Sequence, residues 1–179
     1  MRDGPRMPNC VLCPHNLYYS DAIPMRKQGV MMHLGERFCL GGKKARRFKR
    51  SDPKIYVPSW CPKRKSPCEL RVYGFKSIRD EWLHSDLCRS IGKPLPPEEH
   101  RYALIYEGRT DLSPRDFWER CGIMPDPENG ILENPVQKYQ VLEIDDGLKP
   151  VFFYRTERGF KLHYSFNTEI VRENKLEED

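Results

Sequence analysis

No stretch of this 179-residue sequence runs to the roughly 18 consecutive apolar residues that a membrane-spanning helix needs, which excludes such a span. The opening residues carry charge, proline and cysteine where a secretory signal would carry an apolar block. A chain kept in the cytoplasm, with its thiols reduced, is therefore expected. Apolar residues are scarce, at 38% against 32% charged, yet aromatics at 11% are too many for a disordered chain. Burial alone is thus a weak driving force, and something else has to help the chain fold. Catalytic signatures are missing too: no H-E-x-x-H, G-x-S-x-G, Walker lysine or G-x-G-x-x-G occurs. The H-x-E and P-C-x-x-C pair of a zinc deaminase is not formed either, because Glu36 follows His33 one place too late and Cys61 and Cys68 are too far apart.

What the sequence does contain is cysteine, seven in all, and an uneven distribution of charge. An odd number in a reducing compartment argues against a disulfide framework and for metal ligation. Cys10 and Cys13 are two residues apart, the spacing with which one tight turn offers two thiolates to the same ion. Cys61 and Cys68 form a second, wider pair, and Cys39 lies between them, followed by Gly41 and Gly42. The expected ligands of a structural zinc ion are Cys10, Cys13, Cys61 and Cys68, with Cys39, His15 or His33 as substitutes. Cys88 and Cys121 fall on expected helices and read as core residues.

Residues 1–79 hold 18 Lys and Arg against 5 Asp and Glu, whereas residues 80–179 hold 13 against 21. The expected division is a basic, cysteine-rich module over 1–69, crowded with proline, and an acidic α+β domain over 70–179. Short strands are expected at 29–34 and 54–57 in the first. In the second, a strand at 70–75 leads to a helix that Ser77 and Asp80 start and Gly92 and Pro94 stop. Leu83, Leu87 and Ile91 share a face of that helix and are expected to be buried, with Trp82 packed beneath a loop. A strand at 102–106 follows, then a helix from Ser113-Pro114 to Gly122 bearing Phe117, Trp118 and Cys121 on one face. After a loop through Asn129-Gly130 come strands at 138–144, 151–155 and 160–166, joined by Asp145-Asp146-Gly147 and Glu157-Arg158-Gly159. The order β-α-β-α-β-β-β implies a mostly antiparallel sheet with two helices on one face.

Residues 43–50 place Lys43, Lys44, Arg46, Arg47, Lys49 and Arg50 within eight positions, with no acid between Glu36 and Asp52. Lys63, Arg64 and Lys65 add three cations inside the Cys61–Cys68 loop. Runs of this kind meet phosphates, since neutralisation releases condensed counterions and arginine adds bidentate hydrogen bonds. Phe38, Phe48, Tyr56, Trp60 and Tyr73 are interleaved; they read as the module's small core before they read as platforms for bases. The stretches 35–39 (GERFC), 45–48 (ARRF), 60–62 (WCP) and 68–75 (CELRVYGF) resemble the small cysteine-bearing accessory proteins of bacterial mobile elements, some of which are anti-CRISPR inhibitors. The resemblance covers the first half of the chain. It implies a non-enzymatic inhibitor docking on a nucleoprotein such as a Cas effector, which offers both guide RNA and a basic DNA channel. The expected function is thus zinc-stabilised binding of RNA, DNA or a nucleoprotein complex; the alternative is a metal-supported nuclease or other nucleic-acid-processing enzyme.

Overall fold

The computed structural model describes residues 9–53, 56–121 and 136–176. The expected strand start at 54–55, the helix stop at Gly122 and the loop through Asn129-Gly130 lie outside them. The chain forms two compact units, Met1–Lys65 and Ser66–Asp179. The division thus precedes the expected one by four residues, and Cys68 belongs to the second unit. Among the described residues no helix is long and apolar enough to cross a membrane.

The first unit is made of short strands because proline and glycine interrupt it everywhere. β1 (Asn16–Tyr18), β4 (Arg37–Cys39) and β5 (Arg46–Arg47) form one antiparallel sheet in the order β1-β4-β5. β2 (Met25–Lys27) and β3 (Val30–Met32) form a hairpin whose turn residues Gln28 and Gly29 have φ of 46° and 79°. Two successive positive φ values are what a two-residue turn needs to match the twist of its strands, and Gly29 supplies the second without steric cost. The buried apolar residues here are Tyr19, Met32, Phe38 and Ala45, flanked by Leu17, Val30 and Leu40. A unit of this size with so small a core ordinarily needs a covalent or metal cross-link.

The second unit is a five-stranded antiparallel sheet in the order β10-β9-β8-β6-β7. Its strands are β6 (Cys68–Phe75), β7 (Tyr102–Thr110), β8 (Val141–Asp145), β9 (Val151–Thr156) and β10 (Gly159–His163). The α+β expectation holds, and a third helix, α3 (Thr168–Glu173), is added. α1 (Ile78–Ile91) begins where Ser77 Oγ accepts from the Asp80 amide and ends at Gly92, whose φ of 72° places it in the left-handed region. α2 (Pro114–Cys121) starts the same way, with the Asp116 amide donating to Ser113 Oγ.

Two expectations are corrected. The helices do not share one face. Side chains alternate across a strand, so the neighbours Phe153 and Tyr154 of β9 point to opposite sides. Phe117 of α2 packs 4.7 Å from Phe153, while His84 of α1 hydrogen-bonds the Tyr154 hydroxyl at 2.9 Å. Val171 of α3 joins the α1 side with Tyr73, Tyr102, Tyr139 and Tyr154. Nor is Leu83, Leu87, Ile91 the buried face of α1: Leu83 and Leu87 are each 37% exposed and Trp82 is 67% exposed, whereas His84 and Cys88 are buried. The reason lies in the sheet beneath. That layer is built from tyrosines, whose buried hydroxyls require hydrogen-bond partners, and histidine meets the need where leucine cannot.

Burial holds the imidazole of His84 below the usual histidine range, and burial does the same to His163 on β10. A base with a lowered folded pKa contributes stability that is complete above its unfolded value, about 6.5, and is lost as pH falls, because the unfolded chain takes up the proton first. The thermal midpoint of the second unit is therefore expected to drop between pH 8 and pH 5. In His84→Gln that slope should flatten; a slope equal to the wild type would show that His84 contributes nothing to it.

Candidate metal centre and basic surface

The Cys10–Cys13 segment is a turn closed by its own backbone. The Cys13 amide donates to the Cys10 carbonyl at 3.3 Å, the Leu12 amide to Asn9 Oδ1 at 2.9 Å, and the Asn16 amide to the Cys13 carbonyl at 3.0 Å. Three links then bring distant cysteines toward it. An antiparallel bridge joins Asn9 to Tyr56, drawing the segment that leads to Cys61 alongside Cys10. The β1–β4 register sets Asn16 opposite Cys39, and the Leu40 amide donates to the His15 carbonyl at 2.8 Å. The third link is Gly42 against Pro62, where an added Cβ would stand 3.7 Å from the proline ring; at Gly41 it would meet Cys39 Sγ and the His15 ring at 3.6 Å. The two glycines let the Cys39 and Cys61 loops approach closely.

The electrostatics record the same gathering. The Cys10 thiol is pushed up to about 11 by burial, Arg37 opposes the rise, and Cys61, Cys13 and Cys39 each add to it. Burial also raises Cys61; the backbone amides of Lys63 and Arg64, which hydrogen-bond its sulfur, work against that, while Cys39 and Cys13 reinforce it. Thiols that raise one another's pKa resist ionising together unless a cation joins them, and amides aimed at sulfur favour the thiolate. As the side chains stand, no three His, Cys, Asp or Glu groups among the described residues are arranged at ligating distance.

Cys68, expected as a fourth ligand, opens β6 in the second unit, opposite Thr110, and is buried there. His33 is exposed in the turn between β3 and β4, where its amide donates to Glu36. Cys88 and Cys121 are buried in the second unit, as expected of core residues.

All six cations of residues 43–50 are exposed. Arg46 lies 4.3 Å over the Trp60 ring, Trp60 meets Phe48 edge-on at 5.0 Å, and Arg37 lies 4.0 Å over Phe48. Trp60 Nε1 donates to Asp52 at 3.0 Å. These two half-buried rings are thus layered between arginines. Arg47 pairs with Glu36. Among the described residues, Lys43, Lys44 and Arg50 have no ion-pair partner, and an open cleft of about 850 Å³ is lined by Arg37, Arg47, Lys49 and Arg50 together with Glu36 and Asp52. Lys63 and Lys65 are exposed and Arg64 is half-buried. Arg37, which opposes the rise of the Cys10 thiol and lies over Phe48, carried no signal in the sequence because it is a single cation outside the run. Cys39, expected as a substitute ligand, is followed by Gly41 and Gly42, the local signal for a close approach of loops.

Comparison with protein families, curated proteins and solved structures finds no match to this chain.

Proposed function

We propose that the first unit is a zinc-stapled module, with Cys10, Cys13, Cys39 and Cys61 as ligands, which presents the cations of residues 43–50 and 63–65 to the phosphates of RNA, DNA or a nucleoprotein. The observation that carries this reading is the convergence of those four cysteines, from three separate segments, in a unit whose own core is small. A tetrahedral set of four thiolates would hold the zinc at about 2.3 Å from each sulfur. Zinc would hold the loops that bear the cations, so that ordering them is not left to the ligand. Arg46 and Arg47 project from the two-residue β5, with Arg46 already fixed over Trp60, which reduces the entropy lost on contact. The resemblance to mobile-element inhibitors favours an RNA-guided effector as the nucleoprotein, with binding and not turnover as the activity.

The test is binding of RNA and DNA over a range of salt. Wild-type affinity should fall steeply with ionic strength, and Arg46→Glu with Arg47→Glu and Arg50→Glu should lower the log–log slope by about 2 to 3, with zinc content unchanged. An unchanged slope and affinity in the triple variant would overturn the reading. No substrate should be cleaved with Mg²⁺ or Mn²⁺ supplied; metal-dependent cleavage lost with a single histidine would favour the nuclease alternative.

A further inference from the structure

The second unit carries 16 Lys and Arg against 22 Asp and Glu, so an anion should be repelled from most of it. One cavity departs from that average. It has a volume of about 450 Å³ and lies where the C-terminal end of α1 meets the β9–β10 turn and the residues preceding β8. Arg89 and Lys93 come from the helix end, Lys138 from before β8, Arg158 from the turn and Lys161 from β10; Glu157 is the only acid in the lining. Glu157 is already engaged by Lys138. Among the described residues Arg89, Lys93, Arg158 and Lys161 have no ion-pair partner.

A helix C-terminus by itself attracts cations, and that accounts for Arg89 and Lys93. It does not account for Lys138, Arg158 and Lys161, which reach the same space from three other places in the chain. Two of the terminal helix carbonyls, those of Cys88 and Arg89, already accept from the Gly92 amide at 3.0 and 3.2 Å. The wall is also held in place. Lys138 Nζ sits 4.7 Å over the Tyr139 ring, and the Arg158 amide donates to Thr156 Oγ1 at 3.2 Å beside Gly159 at φ 107°. Five cations brought together around one concavity repel each other, and a bound polyanion relieves that repulsion.

We propose that this cavity binds the di- or triphosphate group of a nucleotide, either free or at the 5′ end of an RNA. A single phosphomonoester, at about −2, would leave much of the lining charge unmatched, whereas a di- or triphosphate matches it more fully. The volume falls within the usual range of small-ligand sites. Arg89 and Arg158 supply forked donors for phosphate oxygens, and the lysines supply point charges around them.

The experiment titrates the full chain with pyrophosphate, ATP and a 5′-triphosphorylated oligoribonucleotide, with sulfate as the ionic control, and follows the amide signals of Gly92, Lys93 and Arg158. The expected result is saturable shifts with pyrophosphate, none that saturate with sulfate, and a Kd for ATP or for the RNA that identifies the carrier. Arg158→Glu with Lys161→Glu should weaken binding at least about tenfold, since each charge-assisted hydrogen bond contributes about 1.5–3 kcal/mol and 1.4 kcal/mol is a factor of ten. Both side chains are exposed, so the thermal midpoint should stay at the wild-type value. Should that pair unfold, Arg89→Glu with Lys93→Glu at the helix end makes the same test. Lys149→Glu, exposed and outside the cavity, should bind as the wild type does. Absence of saturable shifts with all three phosphates, equal response to sulfate, or unchanged affinity in both reversed pairs would overturn the proposal. Because every signal comes from the second unit, its failure leaves the reading of the basic module untouched.

Discussion

Purified protein is expected to carry about one zinc ion per chain, the stoichiometry of a four-thiolate site. Cys39→Ser should lower that content as strongly as Cys10→Ser or Cys61→Ser, whereas Cys68→Ser and Cys121→Ser should leave it in place. Cys39 closes β4 beside the Cys10–Cys13 turn, while Cys68 and Cys121 belong to the second unit. The consequence for folding is large. Structural zinc supplies on the order of 10–16 kcal/mol in small domains at neutral pH, far more than Tyr19, Met32, Phe38 and Ala45 can provide by burial. Chelation should therefore unfold the first unit and leave the second folded, which near-ultraviolet dichroism and amide spectra would separate. Zinc near zero in protein purified without chelator, with the first unit still folded, would remove the metal from the account. Full zinc retention in Cys39→Ser together with its loss in Cys68→Ser would restore the ligand set read from sequence.

In the second unit the largest loss is expected from Arg71→Ala. Arg71 on β6 stands opposite Glu107 of β7 and Glu143 of β8, and its guanidinium donates to Glu107 at 2.8 Å, Glu143 at 3.0 Å and Glu69 at 2.7 Å. Glu143 is buried, and Tyr73 donates to its other oxygen. Removing the cation leaves a buried carboxylate with a tyrosine as its remaining side-chain partner, a change that costs about 3–5 kcal/mol. Lysine should rescue only partly, because one ammonium cannot reproduce three donors spread over a planar fork. Replacing both members, Arg71→Met with Glu143→Leu, should recover much of the loss, since an apolar pair needs no counter-charge. Urea unfolding of the three variants measures this. A cost below about 1 kcal/mol for Arg71→Ala would place the network among surface ion pairs of little consequence.

The network shows what was hard to read. Arg71, Glu107 and Glu143 are far apart in the chain, and each looks like an ordinary surface charge until the registers of β6, β7 and β8 set them side by side. The basic cavity was hidden for the same reason: Arg89, Lys138 and Lys161 are scattered through an acidic half, and their proximity exists only once α1 lies over that end of the sheet. By contrast, the cations of residues 43–50 are contiguous in sequence, so their exposure together needed no tertiary information. The acidic tail residues Glu177, Glu178 and Asp179 lie outside the described residues.

By itself the sequence determined the punctuation of this protein. Ser77 and Gly92 bound α1, Ser113 and Pro114 begin α2, and Gly147 and Gly159 turn the chain between β8, β9 and β10. Each of these rests on hydrogen bonds or φ preferences spanning a few residues, which act whatever the rest of the chain does. Tertiary structure decided which segments flank the Cys10–Cys13 turn and which face of α1 is covered. The β1–β4 register sets Cys39 opposite Asn16, and Gly42 approaches Pro62 beside Cys61, contacts that no local pattern specifies. His84 and Cys88 rather than Leu83 and Leu87 turn inward because the sheet below presents tyrosine hydroxyls that must be paired. Periodicity specifies that a helix has an apolar face; what that face meets depends on residues brought from elsewhere in the chain, and their chemistry outweighs hydrophobicity where buried polar atoms need partners.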